Sequence, residues 1–150
     1  MRFNHMELTF PRGTLDAARR TEIDAFYGDV FGWRGIDTEV VGQLTHILLM
    51  DAVDNPNPRG DFILLAESGK PMESPGYDHL GLLHGTREEV DKLLAQCKDW
   101  QQRDDRVQIK EYDDLVTGDL VTQAFYVKYL LPIYFDVQCM ERGGVPVAVA

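Results

Sequence analysis

The sequence predicts an α+β protein in which one βαβββ module is used twice. Three observations carry that expectation. Phe3-Asn4-His5-Met6-Glu7-Leu8 and Tyr77-Asp78-His79-Leu80-Gly81-Leu82 echo each other, each an aromatic residue, a polar one, a histidine and a leucine-ended strand pattern. The same order of elements, strand, helix and three strands, follows from each echo. A Ser-, Gly- and Pro-rich stretch, residues 68–76, separates the copies. The first module is expected at about residues 1–70 and the second at about 76–141, with a tail over 142–150, all within one domain.

Residues 3–10 alternate with strand period: Asn4, Met6, Leu8 and Phe10 on a mostly apolar face, Phe3, His5, Glu7 and Thr9 on a mixed one. Pro11-Arg12-Gly13 ends that strand. Thr21-Glu22-Ile23-Asp24 reads as a capped helix start, Ile23, Phe26, Val30 and Phe31 as its apolar stripe, and Gly32 as its stop. Strands follow over 33–41, 44–50 and 61–66, with a turn at Gly42-Gln43 and a loop over 54–60.

The second copy opens with a strand over 77–84. Thr86-Arg87-Glu88-Glu89 is a capping box, in which hydroxyl and carboxylate satisfy each other's backbone donors. Val90, Leu93, Leu94, Cys97 and Trp100 give a helical stripe. Strands are expected over 107–112, 120–129 and 133–140, with Asp104-Asp105 and Asp113-Asp114 as solvated turns. Trp33 and Trp100 are expected in the core.

A formal net charge of −10 opposes binding to nucleic acid or to an anionic membrane surface. No run approaches the ~20 apolar residues of a membrane span, and the N-terminal residues lack the apolar core of a secretory signal, so a cytoplasmic protein is expected. Cys97 and Cys139 read as buried small hydrophobes. No nucleophile elbow and no phosphate-binding glycine motif occurs.

The segments Asn4-His5-Met6-Glu7-Leu8, Phe26-Tyr27-Gly28-Asp29-Val30-Phe31-Gly32-Trp33, Asp78-His79-Leu80-Gly81-Leu82 and Phe135-Asp136-Val137-Gln138 together resemble the vicinal oxygen chelate superfamily. That group includes glyoxalase I, extradiol dioxygenases, and fosfomycin- and bleomycin-resistance proteins. The resemblance implies a glyoxalase/dioxygenase-like fold: two βαβββ modules whose mixed sheets curl into a cup with the helices outside. It implies metal ligands on the first and last strand of each module. Those positions carry His5, His79 and Asp136, while the fourth falls near Leu64, which has no donor atom.

Two imidazoles and one carboxylate suit iron(II), manganese(II), nickel(II) or zinc(II). The function implied is a metal-dependent enzyme acting on a small oxygen-chelating substrate, as a dioxygenase, lyase, isomerase or transferase. The alternative is a metal-free protein that binds a drug or metabolite, and a third reading is an interaction protein with a degenerate site. Glu7, on the His5 face, is a candidate base or ligand-supporting group. Tyr134 and Tyr126 are candidate substrate hydrogen-bonders. Glu67 is a fourth ligand if the register shifts, and His46 could line the cup; His84 is expected at the surface. The segment Lys128-Tyr129-Leu130-Leu131-Pro132 stands where many relatives turn, and suggests an apolar rim or interface. A homodimer is the expected assembly.

Overall fold

The computed structural model describes residues 3–51 and 60–147. The chain divides into two compact units, Met1–Glu73 and Ser74–Ala150, and each carries one copy of the repeat. The expected loop over 54–60 falls almost wholly outside the described residues.

In the first unit, β1 (His5–Pro11) leads into α1 (Ala17–Phe31), followed by β2 (Arg34–Val40), β3 (Gln43–Leu49) and β4 (Phe62–Ser68). The sheet order is β1-β4-β3-β2. The first and last strands therefore lie side by side and parallel, with His5 opposite Phe62 and Glu7 opposite Leu64. The helix starts earlier than the sequence suggested. Asp16, not Thr21, is its cap, accepting the Arg19 N–H at 2.8 Å. Thr21 sits one turn inside and bonds back to the Ala17 carbonyl, a local alternative open to any helical threonine. Gly32 ends the helix in the left-handed conformation, as expected. Behind it, Tyr27 and Trp33 stack at 5.5 Å, which fixes the exit of the chain into β2. Leu8, Ile63, Leu65 and Leu48 share the sheet face turned toward α1 and are buried with Ile23, Phe26 and Val30.

The second unit repeats this plan. Its first strand β5 (His79–His84) leads into α2 (Arg87–Arg103) through the Thr86/Glu89 capping box, present as expected. The next strand is split into β6 (Gln108–Glu111) and β7 (Leu115–Thr117), both pairing with β8 (Leu120–Lys128). The last, β9 (Tyr134–Arg142), runs parallel to β5 and antiparallel to β8. Two features were not read from the sequence. One is β7. The other is β10 (Val145–Pro146), which folds back on β9 inside what was expected to be a tail.

Phe125, Val127, Phe135, Val137 and Cys139 form the buried side of this sheet, with Val90 and Cys97 of α2. Gln123, on the same side of β8, donates to Asp91 of α2, which identifies it as the helix side. Leu93, Leu94 and Trp100 are only half-buried, so the stripe is narrower than its spacing suggested. Tyr129, Leu131 and Ile133 are core residues rather than an apolar rim. Leu130 turns through positive φ between them, and Lys128 donates to the Pro132 carbonyl. Both cysteines are buried and free, and burial pushes the Cys97 thiol up to about 12. Among the described residues, no helix is long and apolar enough to cross a membrane.

Candidate functional site

In the second unit, strand alternation gathers a polar, aromatic face opposite α2. His79 lies beside Tyr134, Gly81 beside Asp136, Asp136 beside Tyr126, and Tyr126 beside Lys110. The His79 Nδ1–H donates to the Tyr77 carbonyl at 2.8 Å; a carbonyl only accepts, so the proton sits on Nδ1. The Nε2 lone pair is then turned toward Asp136, whose Oδ2 is 3.7 Å away, and toward the Tyr126 hydroxyl at 3.4 Å. This tautomer leaves Nε2 available to a metal.

Asp136 is 8% exposed, and its Oδ1 is buried without a hydrogen-bond partner. Burial pushes its carboxyl above the usual range, and His79 only partly opposes this. A buried carboxylate oxygen without a donor is costly unless something positive meets it. An imidazole lone pair and an unsatisfied carboxylate side by side fit a divalent cation.

Around this pair stand four tyrosines. Tyr77 lies 5.3 Å from Tyr134, and Tyr112 lies 4.9 Å from Tyr126, ring centre to ring centre. The Lys110 ammonium lies 3.9 Å from the Tyr77 ring centre and 5.0 Å from that of Tyr112. Tyr134 gives its hydroxyl proton to Gln108 at 2.7 Å, which fixes its ring as a wall. The Tyr126 phenol is pushed up by burial and by the Asp136 charge, so it stays a neutral donor. Lys110, Tyr77 and Tyr112 were not singled out from the sequence. The alternation of 108–112 does place Gln108, Lys110 and Tyr112 on one face, but nothing local says which face carries the chemistry.

In the first unit, His5 and Glu7 share the exposed face of β1. The His5 Nδ1–H donates to the Asn4 amide oxygen at 2.8 Å, and its ring stacks on Phe62 at 4.8 Å, so Nε2 is again the free nitrogen. Leu64 occupies the register position that Asp136 holds in the second unit.

The other candidates serve the helix side. His46 does not line this face. It is 2% exposed, and its two ring nitrogens meet Asp37 and Asp24, each at 2.7 Å. Arg20 pairs with the same Asp37 oxygen at 3.0 Å. Gly35 makes room for this cluster, since a Cβ there would run into the Asp24 carboxylate. A cavity of about 260 Å³ opens beside it. Glu67 accepts the Leu15 N–H, and the backbone donors of Gly13 and Leu15 hold its carboxyl below the usual range. It ties the entrance of α1 to β4. His84 ends β5 half-buried on the helix side, and burial lowers its pKa. Among the described residues, neither unit gathers three His, Cys, Asp or Glu side chains as a ligand set.

No protein-family model matches this chain, and no curated protein does. Solved structures do. A genomically encoded fosfomycin resistance protein, FosX, from Listeria monocytogenes is 18% identical with a TM-score of 0.61, over 96% of this chain and 92% of that one. A mutant of FosX from the same organism, complexed with Mn(II) and 1S,2S-dihydroxypropylphosphonic acid, is 19% identical with a TM-score of 0.60, over 91% and 89%. A glyoxalase-family protein from Bacillus anthracis is 13% identical with a TM-score of 0.58, over 95% of each chain. The chain thus shares the fold of fosfomycin-resistance and glyoxalase-family proteins, the vicinal oxygen chelate fold that its sequence resembles.

Proposed function

We propose that this protein is a metal-dependent enzyme acting on a small molecule with adjacent oxygens. The donors are His79 and Asp136 of the second module, with His5 as the donor that the resemblance assigns to the first. The observation that carries this reading is Asp136: buried, unsatisfied at Oδ1, and faced by the lone pair of a histidine whose other nitrogen is fixed. The Mn(II) complex of FosX supports it by analogy of fold. When bound there, a divalent ion supplies a Lewis acid that polarises a chelated substrate oxygen. The chain's own residues do the rest. Tyr126 offers a neutral hydroxyl beside His79, Lys110 offers a cation, and the Tyr77, Tyr112 and Tyr134 rings give an apolar wall that orients a small ligand.

The tyrosine and lysine wall also favours a second reading, a metal-free protein that binds a drug or metabolite. Metal analysis of protein purified without chelator, beside the His5→Ala/His79→Ala double variant, separates the two. Stoichiometric metal that is lost in the variant is the expected result. No metal, together with thermal stability indifferent to Fe(II), Mn(II), Ni(II) or Zn(II), leaves the binding protein as the answer.

A further inference from the structure

Within the second unit, Gly81 of β5 has neither a backbone nor a packing reason to be a glycine. Its φ is not positive, and a Cβ placed there would meet, within 4 Å, only the Gln138 amide nitrogen, at 3.3 Å. A glycine inside a strand loses backbone order and side-chain packing, and often marks where a ligand comes close. Register says what that open spot adjoins. Gly81 stands directly beside Asp136, and Gln138, next on the same face of β9, stands between Leu83 of β5 and Ala124 of β8. The floor is therefore low at Gly81, Asp136 and Ala124, and the larger His79, Tyr134 and Tyr126 rise at one end of it.

The Gln138 side chain is half-buried and makes no hydrogen bond among the described residues. An amide carries no charge and both donates and accepts, and its neighbours across the sheet, Leu83 and Ala124, carry no charge either. Beside it, the buried and unpartnered Oδ1 of Asp136 points to an occupant of this face. We propose that Gly81 and Gln138 select the substrate. Gly81 leaves room for a chain running on from the chelated oxygens, and the Gln138 amide reads a neutral hydroxyl or carboxamide at its far end. Two residues of strand separate Asp136 from Gln138 by about 6.6 Å. The substrate class is thus a short molecule with adjacent oxygens at one end and an uncharged hydrogen-bonding group a few carbons away. The proposal rests on the reading that a divalent ion is held by His79 and Asp136.

The test loads the full chain with Mn(II), reads the ion by electron paramagnetic resonance, and titrates in hydroxamates as chelating probes by calorimetry. The probes are acetohydroxamate and the succinyl hydroxamates ending in a carboxamide or in a carboxylate. The parent is expected to hold the amide-ended probe about 2- to 10-fold tighter than acetohydroxamate, the net worth of one neutral hydrogen bond. Gln138→Ala and Gly81→Ala should each erase that gain, with Mn(II) and acetohydroxamate bound as in the parent. Alanine fits the Gly81 backbone without strain, so Gly81→Ala should melt no lower than the parent, which separates its loss from unfolding. Equal affinity for the two uncharged probes, a gain that survives either variant, or a preference for the acid-ended probe overturns the proposal and leaves the His79/Asp136 reading intact. A parent that takes up no Mn(II) overturns both.

Discussion

Asp136 shows how one side chain can be a liability in one state and an asset in another. Its carboxyl is raised by burial, so the folded chain holds the proton to a higher pH than the unfolded chain does. Stability of the metal-free protein is therefore fullest below the ordinary aspartate value and is lost as pH rises through the folded one. Asp136→Asn removes that loss. It is expected to stabilise the metal-free protein at neutral pH by about 1 kcal/mol, the lower end of what an unsatisfied buried polar group costs. That corresponds to ~2–4 °C in Tm for a chain of this size. The same variant should abolish any rise in Tm on adding Mn(II), and thermal melts with and without the ion check both halves. This residue's strand and its polar face were readable from the alternation of Tyr134, Asp136 and Gln138. The carbonyl of Tyr77 that sets the His79 tautomer was not, because a backbone acceptor has no signature in sequence.

At the level of elements, the helices divide the legible from the illegible. The start of α2 was plain, since Thr86 and Glu89 satisfy each other's neighbours locally and need nothing distant. The start of α1 was misplaced because Asp16 and Thr21 both have capping chemistry, and what decides between them is tertiary. Glu67, 52 residues away from Leu15, holds the chain just before the first turn. The same holds for His46. It was expected as a residue that could line the cup, but the fold turns it to the helix side, where Asp24 of α1 and Asp37 of β2 meet it.

Gly35 is the hinge of that cluster. Gly35→Ala is expected to displace Asp24 from His46 and to cost about 1–3 kcal/mol, the range for overfilling a packed site. Combined with Asp24→Ala it should cost little more than the worse single change, because the two substitutions break one contact. Denaturant melts of the four proteins measure this. Simple additivity would dissociate Gly35 from the cluster.

For the molecule as a whole, the repeat was the most legible feature. Two histidine-bearing strands at equivalent places announced a duplicated plan, and each unit shows it as the strand order first-last-third-second. What the repeat could not announce was its departures. The split into β6 and β7 depends on how Asp113 and Asp114 turn the chain, and Asp114 is held there by Arg87 of α2 at 2.6 Å. Charge is also a property of the whole. With −10 spread along the chain, self-repulsion weakens the compact state. Raising monovalent salt from about 0.01 M to about 0.1 M, which shortens the screening length from ~30 Å to ~10 Å, is expected to raise the Tm of the metal-free protein.

The parallel pairing of first and last strands also sets an order in time. Among the described residues, β1 has no hydrogen-bonded neighbour in its sheet other than β4, and β5 none other than β9. A nascent first module therefore waits, with Leu8 and Phe10 unburied, until residue 68 has left the ribosome. The strand that carries His5 is thus the first made and the last to be secured. Its sister strand waits in the same way, until residue 139 has been made, before the pairing that sets His79 near Asp136 is complete.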